Sequence, residues 1–150
     1  MKANVAWSTD ENAYLAGKAC AKKAVLDLIQ TKVAFIFSSV KYDQKNLLDG
    51  AKEVLGSAPI IGCTSNGGIL VPDGYITSNN GFAGILAIGD PDTAVGVAGS
   101  AKMLTARETG RKVAIEAMNK VGTTFSPSYF FMIANPGEEE EYAKGIQDVI

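Results

Sequence analysis

Short apolar runs alternate with helical segments along the first half of this chain, and that alternation limits the folds open to it. Each apolar run has the length of a buried strand, and each helical segment repeats small or apolar residues at helical spacing. Strands and helices in alternation predict an α/β fold with a mixed sheet. The predicted strands are Lys2–Trp7, Val33–Phe37 and Ala58–Ile61, and the predicted helices run from a cap within Ser8–Glu11 to about Ile29 and from Asp43 to Leu55.

A second pattern, made of strands only, begins near Gly74. Turn residues at Ser78–Asn80 separate its apolar runs, so neighbouring strands are expected to be antiparallel. This antiparallel β segment around 74–99 gives the middle of the chain an α+β character. The predicted strands are Tyr75–Thr77, Phe82–Ile88 and Thr93–Ala98.

A further helix and strand are predicted after this segment. Thr105 is followed three residues later by Glu108, which is the pattern of a capping box at a helix start. Gly122 suits the left-handed conformation that commonly ends a helix. Ser128–Ala134 is apolar and is predicted to be a strand.

A weak internal repeat relates two parts of the chain. A shift of 95 positions places Gly50 on Gly145, and the two copies are residues 9–68 and 105–150. The second copy is incomplete, so we expect one domain over residues 1–150 that is a fragment of a longer protein. An exposed sheet edge in such a fragment could pair with a neighbouring chain, which makes a homodimer one possible assembly.

Composition excludes several classes of function. The net charge is -2 with acids and bases interspersed, which leaves no basic patch for nucleic acid, and no run of 18 apolar residues could span a membrane. The chain has no histidine, so His-dependent catalysis and most zinc sites are excluded, and neither a metal nor another cofactor is predicted. The N-terminus lacks a secretory signal, which favours a cytoplasmic location, where Cys20 and Cys63 are expected as reduced thiols.

The stretch from Pro59 to Ile69 is where the sequence suggests a binding site. An apolar run stops there in glycine and small polar residues, whose N–H groups and short side chains can hold a carboxylate or amino group. A plain strand end with a tight turn also fits, and no phosphate-binding glycine motif matches. Two serines end the preceding strand, and in a parallel sheet they would lie near this loop. The candidate ligand-binding residues are Gly62, Cys63, Thr64, Ser65, Asn66, Gly67, Ser38 and Ser39.

Four features follow one another between residues 60 and 88. They are the run Ile60–Ser65, Gly67, a turn at Pro72–Gly74 and a strand over Gly81–Ile88. In this order they resemble the N-terminal part of the FIST sensory domain. The resemblance implies a domain that binds small ligands, amino acids among them, and that occurs alone or fused to signalling output modules. Gly68 departs from the family pattern, which tends to place an acidic residue at this position.

We therefore expect a sensory domain, not an enzyme, that binds an amino-acid-like ligand and passes a signal to a downstream domain or signalling partner. Two alternatives stay open. One is a transferase or hydrolase that uses Cys63 or Ser65 as its nucleophile, against which the lack of histidine counts. The other is a protein-interaction scaffold that recruits its partner through an open sheet edge.

Overall fold

The structure, a computed structural model, describes residues 1–102, 105–122 and 126–150. Its described strands all lie in the first of two compact units, Met1–Thr93, and the second unit is Ala94–Ile150. Four helices and a mixed sheet among the described residues confirm the predicted α/β class. In chain order the elements are β1 (Lys2–Ser8), α1 (Ala13–Ala24), β2 (Thr31–Ser39), α2 (Gln44–Leu55), β3 (Ile60–Ser65), β4 (Ile69–Val71), β5 (Gly74–Ile76), β6 (Ala83–Gly89), α3 (Ala106–Val121) and α4 (Glu139–Gln147).

A four-stranded sheet in the order β1-β6-β2-β3 forms the centre of the first unit. β6 is antiparallel to both of its neighbours, whereas β2 and β3 are parallel to each other. β1, β2 and β3 therefore run in the same direction, and their carboxyl ends lie at one edge of the sheet. The loops that follow these three strands and the loop that precedes β6 all belong to that edge.

Helices α1 and α2 cover one face of this sheet, and small side chains fill much of the core between them. Ala34 and Ala87 on the strands and Ala16 and Ala51 on the helices are completely buried. Because these side chains are short, the helix backbones can approach the sheet and each other closely. Leu47 of α2 is the largest fully buried side chain of the two helices and packs into the same core.

The β4–β5 hairpin lies on the opposite face of the sheet. A Cβ built on Gly84 of β6 would lie 2.5 Å from Cδ1 of Ile69, so the β4 side chain rests directly on this glycine. In the hairpin turn, Asp73 accepts a hydrogen bond of 2.9 Å from Nε1 of Trp7 on β1. The hairpin is therefore attached to two different strands of the sheet.

The second unit contains the helix pair α3 and α4. The predicted capping box is present: the Thr105 hydroxyl accepts from the Glu108 N–H, and the Glu108 carboxylate accepts from the Thr105 N–H. Gly122 ends α3 with φ +70°, as predicted for a left-handed cap. Arg107 of α3 donates two hydrogen bonds, of 2.8 and 2.7 Å, to the Asp148 carboxylate after α4.

Both predicted ends of α1 are wrong. The helix is capped by Asn12, whose side-chain oxygen accepts from the Leu15 N–H at 3.1 Å, and not by a residue of Ser8–Glu11. It ends at Ala24, and the chain then turns through Asp27, which has a left-handed backbone with φ +60°. Residues 25–29, which were predicted to be helical, therefore lie outside α1.

The strand predictions are wrong in three places. β3 continues to Ser65, so most of the predicted glycine loop is strand. Thr93–Ala98 and Ser128–Ala134 are not strands in the described part of the chain, because neither lies in a hydrogen-bonded ladder. The predicted antiparallel β segment thus ends with β6 at Gly89.

Candidate functional site

The carboxyl ends of β2 and β3 lie side by side. In the parallel register Ser38 pairs with Thr64, and Ser39 pairs with Ser65. Two segments that are far apart in sequence and were both predicted to contribute to a site are thereby neighbours. We call these four residues, together with the adjoining Asn66–Gly67, the strand-end site.

Gly62 has a structural reason to be glycine. It pairs with Ile36 of β2, and a Cβ built on Gly62 would overlap the Ile36 carbonyl oxygen and lie 2.8 Å from its Cγ2. A side chain there would push β3 away from β2. Gly62 therefore maintains the strand pairing on which the strand-end site depends.

The pleat of the sheet divides the predicted site residues between its two faces. Successive side chains of a strand point to opposite faces. Ser38 and its partner Thr64 lie on the face of Ile36, which α1 and α2 cover. Cys63 pairs with Phe37 on the opposite face. The predicted residues meet only at the sheet edge, where the strands end.

The serine hydroxyls of the site are bonded within the protein. Ser38 is 3% exposed, and its hydroxyl donates to Oε1 of Gln44 at 2.8 Å. Ser39 is 2% exposed and accepts from the Lys41 N–H at 3.2 Å. The Ser65 hydroxyl donates to the Gly68 carbonyl at 2.7 Å. These serines shape the loops around the site.

Cys63, Thr64 and Asn66 are exposed, in contrast to the serines of β2. Within the described part of the chain, none of the three makes a side-chain hydrogen bond, so their polar atoms are available to a ligand. Gly67 is exposed as well, and a Cβ built there would meet only the Tyr75 hydroxyl, at 3.1 Å. The open part of the strand-end site is therefore its β3 side.

Charges of both signs lie in the loops of the same sheet edge. Lys41 follows β2, and its ammonium group donates to the Asn79 carbonyl at 2.7 Å in the loop before β6. Glu11 follows β1, and its carboxylate accepts from the side-chain amide of Asn80 in that same loop. Both charged side chains are therefore held at this sheet edge by the loop before β6.

Two residues that the sequence did not single out for structural roles organise this edge. The Gln44 side-chain amide donates to the carbonyls of Ser39 and Tyr42, each at 2.9 Å. Tyr42 is 5% exposed and donates its hydroxyl proton to the Asp10 carbonyl, while burial raises the pKa of its phenol to about 12. Sequence patterns held no signal for the Tyr42–Asp10 bond, because it joins the loop after β2 to the loop after β1.

The described residues contain no cluster of three or more His, Cys, Asp or Glu side chains that could hold a metal ion. Among the same residues, no helix combines the length and the apolar character that crossing a membrane requires.

The fold and the geometry of the site define the class of protein: an α/β domain with a polar candidate site at the ends of its parallel strands. The family model of the FIST N domain matches residues 32–150, which is more than half of the chain. The chain therefore belongs to the FIST N domain family, a family of sensory domains in signal transduction. Of the curated proteins compared with it, none matches the sequence significantly.

Proposed function

We propose that this chain binds an amino acid or a similar small acid at the strand-end site and acts as a sensor in cytoplasmic signal transduction. The pairing of Ser38–Ser39 with Thr64–Ser65 carries the proposal, because it builds a polar sheet edge. At this edge the exposed side chains of β3 and its loop make no hydrogen bonds within the described residues. Bonded serines hold the edge in place, and the open Thr64 and Asn66 contact the ligand.

The chemistry of the edge favours a ligand that carries both charges. Thr64 and Asn66 offer short donors and acceptors that lose little side-chain entropy when a ligand fixes them. Lys41 can attract a carboxylate and Glu11 an ammonium group, and both are held by loop residues before a ligand arrives. Preorganised charges of this kind lower the cost of binding.

Signalling follows from a shift between populations of the domain. Asn66–Gly68 connects the strand-end site to β4, so a ligand that fixes this loop also biases the β4–β5 hairpin. A ligand shifts such an equilibrium only by the difference in its affinity for the two states. A downstream domain or signalling partner would recognise the favoured state.

Binding without catalysis is part of the same proposal. A Cys63 nucleophile would need a base or a cation to form its thiolate, and the chain has no histidine to serve. Its side chain also lacks a hydrogen-bond partner within the described residues. If the chain were a Cys63 enzyme, alkylation of this thiol would abolish turnover of a substrate.

Thermal unfolding of the full chain against the common amino acids and related small acids tests the proposal. A ligand present at 100 times its Kd raises the free energy of unfolding by about 2.7 kcal/mol. For a domain of this size, that increase raises the Tm by roughly 5–10 °C. Gly67→Val should abolish that shift and leave the unliganded Tm nearly unchanged, since the valine meets only the mobile end of the exposed Tyr75.

Gly99→Ala is the matched control, because a Cβ on Gly99 meets no atom within 4 Å. This variant should keep both the Tm and the ligand-induced shift. If the ligand still raises the Tm of Gly67→Val, binding takes place elsewhere. If no compound raises the Tm of the natural chain, the alternative of a protein-interaction scaffold is favoured.

A further inference from the structure

The helix pair α1 and α2 crosses through a reciprocal glycine contact. A Cβ built on Gly17 of α1 would overlap the carbonyl oxygen of Leu47 in α2, and a Cβ on Gly50 of α2 would overlap that of Tyr14 in α1. Each glycine thus touches the residue three positions before the other glycine. This arrangement brings the two helix backbones into direct contact.

The helix pair α3 and α4 repeats this contact. A Cβ on Gly110 of α3 would overlap the carbonyl oxygen of Tyr142 in α4, and a Cβ on Gly145 of α4 would overlap that of Arg107 in α3. Again each glycine touches the residue three positions before the other. The equivalent residues lie 93 positions further along the chain in the first helix of the pair and 95 positions further in the second.

In each unit, a side chain also joins the segment before the helix pair to the end of its first helix or the residues just after it, although the direction of donation differs. In the first unit, side chains of β1 donate to carbonyls just after α1: Lys2 to Asp27 and Asn4 to Leu26. In the second unit, Lys120 at the end of α3 donates to the Val97 carbonyl at 2.7 Å. The shift of 93 positions places residues 95–101 on β1, and the shift of 95 places residues 126–134 on β2.

The two units differ in what joins these segments. In the first unit β6 lies between β1 and β2 and is antiparallel to both. In the second unit, among the described residues, neither 95–101 nor 126–134 belongs to a sheet. Tyr129 is 90% exposed and Phe130 is 47% exposed, which is unusual for neighbouring aromatic residues.

Charge indicates what kind of strand these segments accept. Residues 94–101 and 121–137 carry no charged side chain, and neither does the strand that fills the equivalent place in the first unit, Ala83–Gly89. Charged residues are the usual protection of an exposed strand edge against pairing, and these two segments lack that protection. A charged partner would have to be desolvated there without an opposite charge.

We propose that residues 94–150 repeat the β1-α1-β2-α2 arrangement and form a strand slot, bounded by 95–101 and 126–134, that binds an extended, uncharged segment of a partner polypeptide. The inserted strand runs antiparallel to both segments, as β6 does. It has small or apolar residues at alternate positions, because the equivalent β6 residues Ala83, Ile85 and Ala87 are buried against α1 and α2. The main chain supplies the affinity, and the side chains facing the helices supply the selectivity.

A labelled synthetic peptide with the sequence of residues 81–90, flanked by lysines for solubility, tests the strand slot in the full chain. Fluorescence anisotropy should show saturable binding. A peptide with Ile85→Pro should bind at least tenfold more weakly, because proline cannot donate to the ladder. Hydrogen exchange should slow at least tenfold in 95–101 and 126–134 when the peptide is bound, with no change in α1.

Two protein variants locate the binding. Phe130→Pro should weaken peptide binding at least tenfold by removing a backbone donor, whereas Ile29→Ala shortens a 93% exposed side chain outside both segments and should keep the affinity within about twofold. Far-UV circular dichroism checks that the helices persist in both variants. No binding, binding that Phe130→Pro leaves intact, or a stable dimer of the chain that excludes the peptide would overturn the strand slot.

Discussion

Gly50 of α2 lies against the backbone of Tyr14 in α1, so closely that a Cβ on Gly50 would overlap the Tyr14 carbonyl oxygen. Gly17 makes the reciprocal contact with Leu47, so both helices approach through residues without side chains. Helix axes usually lie 8–10 Å apart, depending on the side chains at the contact. Glycines at both contact points allow α1 and α2 to sit as a tight layer on the β sheet.

Gly50→Ala is therefore expected to destabilise the protein. The added methyl meets backbone atoms, which cannot rotate away, so α1 and α2 must separate at a cost of about 1–3 kcal/mol. Urea unfolding followed by circular dichroism would measure the loss. Gly99→Ala adds the same methyl in open space and should change stability by less than about 0.5 kcal/mol. Equal stability of the two variants would contradict the close helix contact.

Ser38→Ala and Thr64→Val should separate the structural from the ligand-contacting part of the strand-end site. Ser38→Ala leaves the partly buried Gln44 oxygen without its donor and should cost about 1–3 kcal/mol in urea unfolding. Thr64→Val keeps the shape of an exposed side chain, so stability should change by less than about 0.5 kcal/mol while the ligand-induced Tm shift falls. An unchanged ligand shift with Thr64→Val would remove Thr64 from the binding site.

Asp73→Ala should loosen the β4–β5 hairpin from the sheet. Trp7 loses the acceptor of its indole N–H, and Trp7 is the sole tryptophan of the chain, so its fluorescence reports this change directly. Acrylamide quenching should rise, and proteolysis within the hairpin should become faster. Leu70→Ala, which shortens an 84% exposed hairpin side chain, serves as the control and should leave quenching unchanged. Identical quenching in both variants would show that the Trp7–Asp73 bond does not hold the hairpin.

Local signals in the sequence predicted several features of this fold. Two signals at opposite ends of α3 each depend only on residues within one helical turn. They are the capping box at Thr105 and Glu108 and the left-handed Gly122, and both are present. The cap of α1 was missed because several polar residues compete for it. Ser8 accepts from the Asp10 N–H and Asp10 accepts from the Asn12 N–H, so these side chains form turns before the helix begins.

Features that depend on distant contacts were not predictable from patterns. Gly62 suggested a loop, yet it lies within β3, paired with Ile36. It is glycine because the backbone of Ile36 leaves no room for a side chain. Residues 128–134 have the composition of a strand but form none in the described part of the chain, because composition does not decide which strands pair in a sheet. The strand-end site was predicted as one cluster, while its division by the pleat follows from the register of β2 and β3.

Tyr42 should make the stability of the protein sensitive to alkaline pH. Burial raises the pKa of Tyr42 from 10.0 to about 12, so folding favours the neutral phenol. This contribution is fully present below about pH 10 and is lost as the pH rises towards about 12. The buried thiol of Cys20, whose pKa is raised from 9.0 to about 12, adds a loss of the same sign that begins about one pH unit lower.

Tyr42→Phe isolates the phenol contribution. Without the hydrogen bond to the Asp10 carbonyl, the variant should be less stable at neutral pH by about 1 kcal/mol. Between about pH 10 and 12 it should lose less stability than the natural chain, because phenylalanine has no proton to release. Urea midpoints measured across this range test both statements, with Tyr129→Phe as the control for a change in a 90% exposed ring. Parallel pH curves for the natural chain and Tyr42→Phe would show that the buried phenol does not resist ionisation.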